Sequence, residues 1–144
     1  MASRSEDPRS GVGDDHWGRQ LGLEMVEVSP ERIVARLLPD QRHQQPYGIL
    51  HGGVYCSIVE DVASHGAGLA AMQRGQTGVV GVANATDFLR SHRTGELRAV
   101  GEPIHASRSQ HIWQVVISRT SDGKTVARGQ VRFHVLDRLP SERS

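Results

Sequence analysis

Hydrophobic and polar positions change period several times along the chain. From Val54 the apolar residues recur every fourth position (Val54, Ile58, Val62), with Val59, Ala63 and Ala67 beside them. That is the signature of one buried helix face, and it predicts a helix from Gly52 or Gly53 to about Met72, ended by the run 73–76. Gly66 and Gly68 lower helix propensity within it, which implies a close neighbour. Everywhere else the pattern alternates. Strands are expected at Leu23–Val28 and Arg32–Leu38, joined at Ser29-Pro30-Glu31, with Pro39 closing the second. Residues 40–50 form a loop leading into the helix. Beyond the helix, strands are expected at Val79–Arg90, Glu96–Ser107, Ile112–Thr120 and Thr125–Leu136. Val80, Val82, Asn84, Thr86 and Phe88 share a face in the first of these. In the last, Ala127, Gly129, Val131, Phe133 and Val135 alternate with Arg128, Gln130, Arg132 and His134. Ser121-Asp122-Gly123-Lys124 is a hairpin turn of the Asp-Gly kind. A short helix, capped by Asp15 and ending near Leu21, is expected at the start. Two strands, a helix and four further strands give an α+β domain, its antiparallel sheet covered on one face by a single long helix.

The 144 residues suit one domain. We expect residues 1–14 to be a flexible tail, 15–137 the domain and 138–144 a second tail. Aromatic residues make up only 4% of the chain, so the core must rest on Val, Leu, Ile and Ala. The net charge of +1 argues against a nucleic-acid partner held by bulk charge. No apolar run is long enough to span a membrane, and the N-terminus lacks the apolar core of a signal peptide. A lone Cys56 allows no intrachain disulfide and suits a reducing cytoplasm. No metal-ligand spacing, P-loop or dinucleotide fingerprint is present, and no cofactor is expected.

The chemistry concentrates in QPYGILHGGVYCSIVEDVAS, residues 45–64. Glycines at the helix mouth leave its first N–H groups uncovered, and with the macrodipole these favour negative charge. Glu60 lies within the apolar helical pattern, sharing a face with Ser57 and Ser64. It is either a carboxylate with a task or part of a polar stripe with Asp61 and His65. Glu60 stands eight residues beyond Gly52, about 12 Å along the axis, too far for both to act on one substrate within one chain. Two copies with antiparallel helices across a two-fold axis would bring Glu60 of one to Gly52 of the other.

This segment, with Gln45, His51-Gly52-Gly53, Glu60 and Ser64 at their spacings, resembles the active-site segment of hotdog-fold acyl-CoA thioesterases. The resemblance extends over roughly residues 20–136. It is strongest with the phenylacetate-pathway, enterobactin-proofreading and 1,4-dihydroxy-2-naphthoyl-CoA types, and VVGVANATDF and GEPIHASRSQHIWQ favour the last, an enzyme of menaquinone synthesis. The resemblance implies a sheet wrapped around the helix and a homodimer or homotetramer with sites at the dimer interface. It also implies an acyl-CoA substrate. In that reading Gly52 N–H polarises the thioester carbonyl and His51 and Gln45 flank it. Glu60 is general base or nucleophile, and Ser64 orients it or the water. Gly53, Arg90, Ser91, His92 and Arg108 are the candidates for holding the substrate and its CoA moiety, with Tyr47, Ile49, Leu50 and Val82 for lining the acyl pocket. Alternatives are a broad short-chain or phenylacetyl-type thioesterase, a hydratase or dehydratase of the same fold, a non-catalytic acyl-CoA sensor, and a Cys56–His51 nucleophile pair.

Overall fold

The computed structural model describes residues 16–137; Asp15 and the two expected tails lie outside them. Helix α1 (Trp17–Leu21) takes His16 as its N-cap, the ring accepting from Arg19 N–H, and ends at Gly22 in the left-handed region. Strands β1 (Glu24–Val28) and β2 (Ile33–Leu37) follow, then a 3-10 turn at Gln41–His43 inside the expected loop. The long helix α2 runs from Gly52 to Gln73, and β3 (Gly78–Phe88), β4 (Leu97–Ala106), β5 (Gln110–Arg119) and β6 (Thr125–Leu136) complete the chain. The six strands form one antiparallel sheet in the order β1-β2-β4-β5-β6-β3.

The core lies between α2 and the concave face of the sheet. Val59, Val62, Ala63 and Ala67 of the helix are fully buried with Trp113, Val115, Ile117, Val131 and Phe133. Burying each Val or Ile contributes about 1.5–3 kcal/mol of transfer free energy, which offsets the scarcity of aromatic residues. Close approach explains Gly66: a Cβ there would stand 2.1 Å from the Trp113 ring. Gly68, by contrast, has nothing within 4 Å of the same position, so only one of the two helical glycines answers to packing.

Strand β6 alternates as its sequence predicts, with Ala127, Gly129, Val131, Phe133 and Val135 buried. Strand β3 does not. Gly81 pairs with Phe133 and Ala83 with Arg132, leaving Val82 as a bulge. One extra residue reverses the alternation. Val79, Gly81, Asn84, Thr86 and Phe88 pair with the inward residues of β6, and Val80 pairs with outward-facing His134. The single face expected for Val80 through Phe88 is therefore split. Strand β3 is also an edge, paired only with β6.

Candidate active site

The loop before α2 is built on His43. Its buried ring accepts from Asp40 N–H at 2.9 Å and lies 2.6 Å from Leu21 O. His51 N–H donates to His43 O, which sets the chain's approach to the helix. His51 is then the N-cap of α2: its Nδ1 accepts from Gly53 N–H at 2.8 Å. This places the proton of the neutral ring on Nε2, and the exposed ring is left with a donor. Val54 N–H is bonded to His51 O. Among the described residues Gly52 N–H has no acceptor, so it is open to a ligand at the helix mouth. Gly53, expected to contribute to the substrate site, has its N–H committed to the cap.

A cleft of about 300 Å³ opens at this helix mouth, lined by Gln45, Leu50, Gly52, Tyr55, Phe88 and Arg90, with Ser91 at its margin. Phe88 packs its ring against Gly52, where any Cβ would stand 2.6 Å from it. Gln45 Oε1 accepts from Tyr47 N–H, which leaves the amide N–H₂ as donor. The two walls of the cleft are tied together. Arg93 Nη1 donates to the carbonyls of Tyr47 and Gly48 at 3.2 and 3.3 Å, and Leu50 N–H donates to His92 O at 2.8 Å. Arg90 donates from one Nη to Thr125 O and is otherwise exposed.

The expected site residues therefore divide. Gln45, His51, Gly52, Arg90 and Ser91 meet at the mouth. His92 turns inward instead: its ring is 6% exposed, with Nε2 on Gly95 O, where it holds its own turn together. Arg108 lies at the opposite end of the sheet, beside Arg74, Gly75, Gln76 and Asp137. Of the expected pocket residues, Ile49 and Leu50 line the cleft, Tyr47 projects outward at 83% exposed, and Val82 is the half-exposed bulge residue. The His51 Nδ1 that a Cys56–His51 pair would need is occupied by the cap.

Glu60 lies apart from the mouth of its own chain, as the helical rise requires. Its Oε2 accepts from Asn84 Nδ2 at 3.1 Å. Its Oε1 rests over Gly81, 2.2 Å from where a Cβ would stand. The reversed alternation of β3 is what turns both Gly81 and Asn84 toward the carboxylate. Asn84 is a site residue that spacing alone does not reveal, although an isolated glycine inside a strand pattern is a recognised sign of a bulge or a close approach. Ser64 makes no hydrogen bond to Glu60; it lines a small hollow with Asp61, His65, Gly68, Leu69 and Met72. The described residues contain no cluster of His, Cys, Asp or Glu able to hold a metal, and no described helix is long and apolar enough to cross a membrane.

A long helix clasped by an antiparallel sheet defines the hotdog fold of the thioester hydrolases. The sequence carries the same affiliation: residues 47–126 match the profile of the family described as "Thioesterase superfamily", and the chain belongs to it. Rv1847 of Mycobacterium tuberculosis, which goes by an esterase name, is 41% identical over 84% of this chain and 86% of its own. Its solved structure superposes with a TM-score of 0.81 over 85% of this chain and 98% of that one. The proofreading thioesterase EntH of Cronobacter turicensis is 33% identical over 67% of this chain and 69% of its own. The 1,4-dihydroxy-2-naphthoyl-CoA hydrolase of Escherichia coli is 28% identical over 75% and 78%.

Proposed function

We propose that the protein is an acyl-CoA thioesterase acting on aromatic acyl groups, with 1,4-dihydroxy-2-naphthoyl-CoA as the first substrate to test and a cytoplasmic place in menaquinone synthesis. The observation that carries the reading is the division of labour along α2, with the free Gly52 N–H at its mouth and Glu60 held eight residues on. The thioester carbonyl oxygen sits at Gly52 N–H, flanked by His51 Nε2–H and the Gln45 amide. One such donor is worth about 3–4 kcal/mol of barrier. Glu60 either takes a proton from water as that oxygen bonds to the carbonyl carbon, or attacks the carbon itself to give an anhydride that water opens. In both routes the C–S bond breaks, the thiolate takes up a proton, and free acid and CoA leave. Arg90 and Ser91 border the path of the CoA moiety.

The two halves of the machinery belong to different subunits. The free edge of β3, 11 residues long, is the kind of edge that proteins cover. A second copy paired along it across a two-fold axis lays the two α2 helices antiparallel and brings Glu60 of each to the mouth of the other. Ser64, one turn beyond, then faces the reacting water. Two such dimers give the homotetramer.

The test is thiol release from dihydroxynaphthoyl-, hydroxybenzoyl-, phenylacetyl-, short-chain and long-chain acyl-CoA, with Glu60→Gln in parallel. Aromatic turnover that falls by about 100-fold or more in the variant supports the reading. Equal turnover in both refutes it. A fully active monomer in light scattering refutes the shared site.

A further inference from the structure

Asn84 is the only described residue that hydrogen-bonds the Glu60 carboxylate, and its own amide has no freedom. One N–H of Nδ2 is directed to Glu60 Oε2 and the other to Cys56 O, both at 3.1 Å. Its Oδ1 accepts from Thr86 Oγ1 at 2.7 Å. A flipped amide would turn its oxygen toward a carboxylate and a carbonyl, two acceptors with no proton to give. The Thr86 hydroxyl meets the amide oxygen in the orientation that avoids this. Thr86 in turn lies close over Gly129, where a Cβ would stand 2.5 Å from its Oγ1. The relay therefore runs from Thr86 through Asn84 to one carboxylate oxygen and ends there. The other oxygen, Oε1, has no hydrogen-bond partner among the described residues and sits in the space left by the missing side chain of Gly81.

Resting on the reading of Glu60 as the catalytic carboxylate, we infer that Asn84 and Thr86 are positioning residues that anchor Oε2 and leave Oε1 as the reacting atom. The bulge at Val82 is part of the device. Without it Gly81 and Asn84 would face opposite sides of the sheet, and the carboxylate would have either the space or the anchor but not both.

The experiment uses the full-length protein and the best thioester of the panel above, and records kcat, KM, the pH profile of kcat and the melting temperature. Asn84→Ala is expected to lower kcat about 10- to 100-fold, with KM changed by less than about threefold, because the loss falls on the reacting geometry. Asn84→Asp keeps the shape but sets a second carboxylate against Glu60. It is expected to move the acid limb of the kcat profile upward by about one pH unit or more, which reports that position 84 faces the reacting carboxylate. Thr86→Val is expected to lower kcat and Thr86→Ser to restore it; this pair decides the matter should the Asn84 variants fold poorly. Wild-type kcat with an unmoved acid limb in the Asn84 variants, or equal rates in Thr86→Val and Thr86→Ser, overturns the inference. Glu60→Gln separates the two levels. An inactive Glu60→Gln beside fully active Asn84 variants removes the positioning role alone, whereas an active Glu60→Gln removes the catalytic reading and the inference with it.

Discussion

Gly81→Ala separates position from stability at the carboxylate. The new Cβ would stand 2.2 Å from Glu60 Oε1, where an oxygen and a methyl carbon rest about 3.3 Å apart, so the carboxylate must retreat by about 1 Å. The retreat is inexpensive for the fold. The obstacle is the end of a flexible side chain, Gly81 has no positive φ, and alanine suits a strand no less than glycine does. It is costly for chemistry, because the movement works against the 3.1 Å bond from Asn84 and a 1 Å misplacement of a catalytic group costs about 100-fold. The expected outcome is a kcat lower by about two orders of magnitude with a melting temperature within about 4 °C of wild type. Gly78→Ala on the same strand is the control, with nothing within 4 Å of its Cβ position. Thiol-release kinetics and thermal unfolding on the three proteins suffice. Wild-type turnover in Gly81→Ala would show that the chemistry does not use the carboxylate where it lies. An unfolded Gly81→Ala would show that packing, and not the carboxylate, is what that glycine serves.

Gly66→Ala drives a methyl into the fully buried Trp113 and is expected to cost on the order of 3 kcal/mol, read as a lower urea midpoint at unchanged m. Gly68→Ala meets nothing within 4 Å and is expected to raise stability by up to about 1 kcal/mol; the same sign for both would refute the packing argument. Among the described residues the buried Tyr55 hydroxyl has no hydrogen-bond partner, and burial pushes its ionisation up. Tyr55→Phe should therefore keep or raise stability, by about 1 kcal/mol, and a clear loss in urea unfolding would mean that the hydroxyl is bonded. His111 is fully buried, and neither ring nitrogen makes a well-formed hydrogen bond among the described residues; burial, followed by the Arg74 charge, holds its pKa below the ordinary value against the opposing pull of the Ser107 backbone. The unfolded chain takes up that proton near pH 6.5 while the folded one resists it, so stability contributed above pH 6.5 is lost as the pH falls below it. His111→Leu should show a smaller loss of urea midpoint between pH 7.5 and 5 than wild type; identical losses would refute the assignment.

Much of the architecture is legible because burial imposes period. The bounds of β6 follow from its alternation, and those of α2 from its fourfold recurrence to within a residue. The separation of Glu60 from Gly52 needs only the rise of a helix. What escapes a periodic reading is where the period breaks. VVGVANATDF alternates acceptably in either phase, and only the glycine inside it marks the bulge that turns Asn84 toward Glu60. Charge at strand ends does not by itself locate a site. Arg90 and Arg108 both follow strands and both suit a phosphate, yet β3 and β4 run in opposite directions, so their ends lie at opposite ends of the sheet. The short link between those strands already implies this. His92 shows the limit of composition: a histidine in a basic loop reads as exposed, and its ring closes the turn from within.

The clamp of Arg93 on the Tyr47 and Gly48 carbonyls, with Leu50 N–H on His92 O, makes the two walls of the cleft one rigid piece. On the proposed reading, an acyl group entering this cleft meets walls already joined, so little ordering of backbone is charged against its affinity.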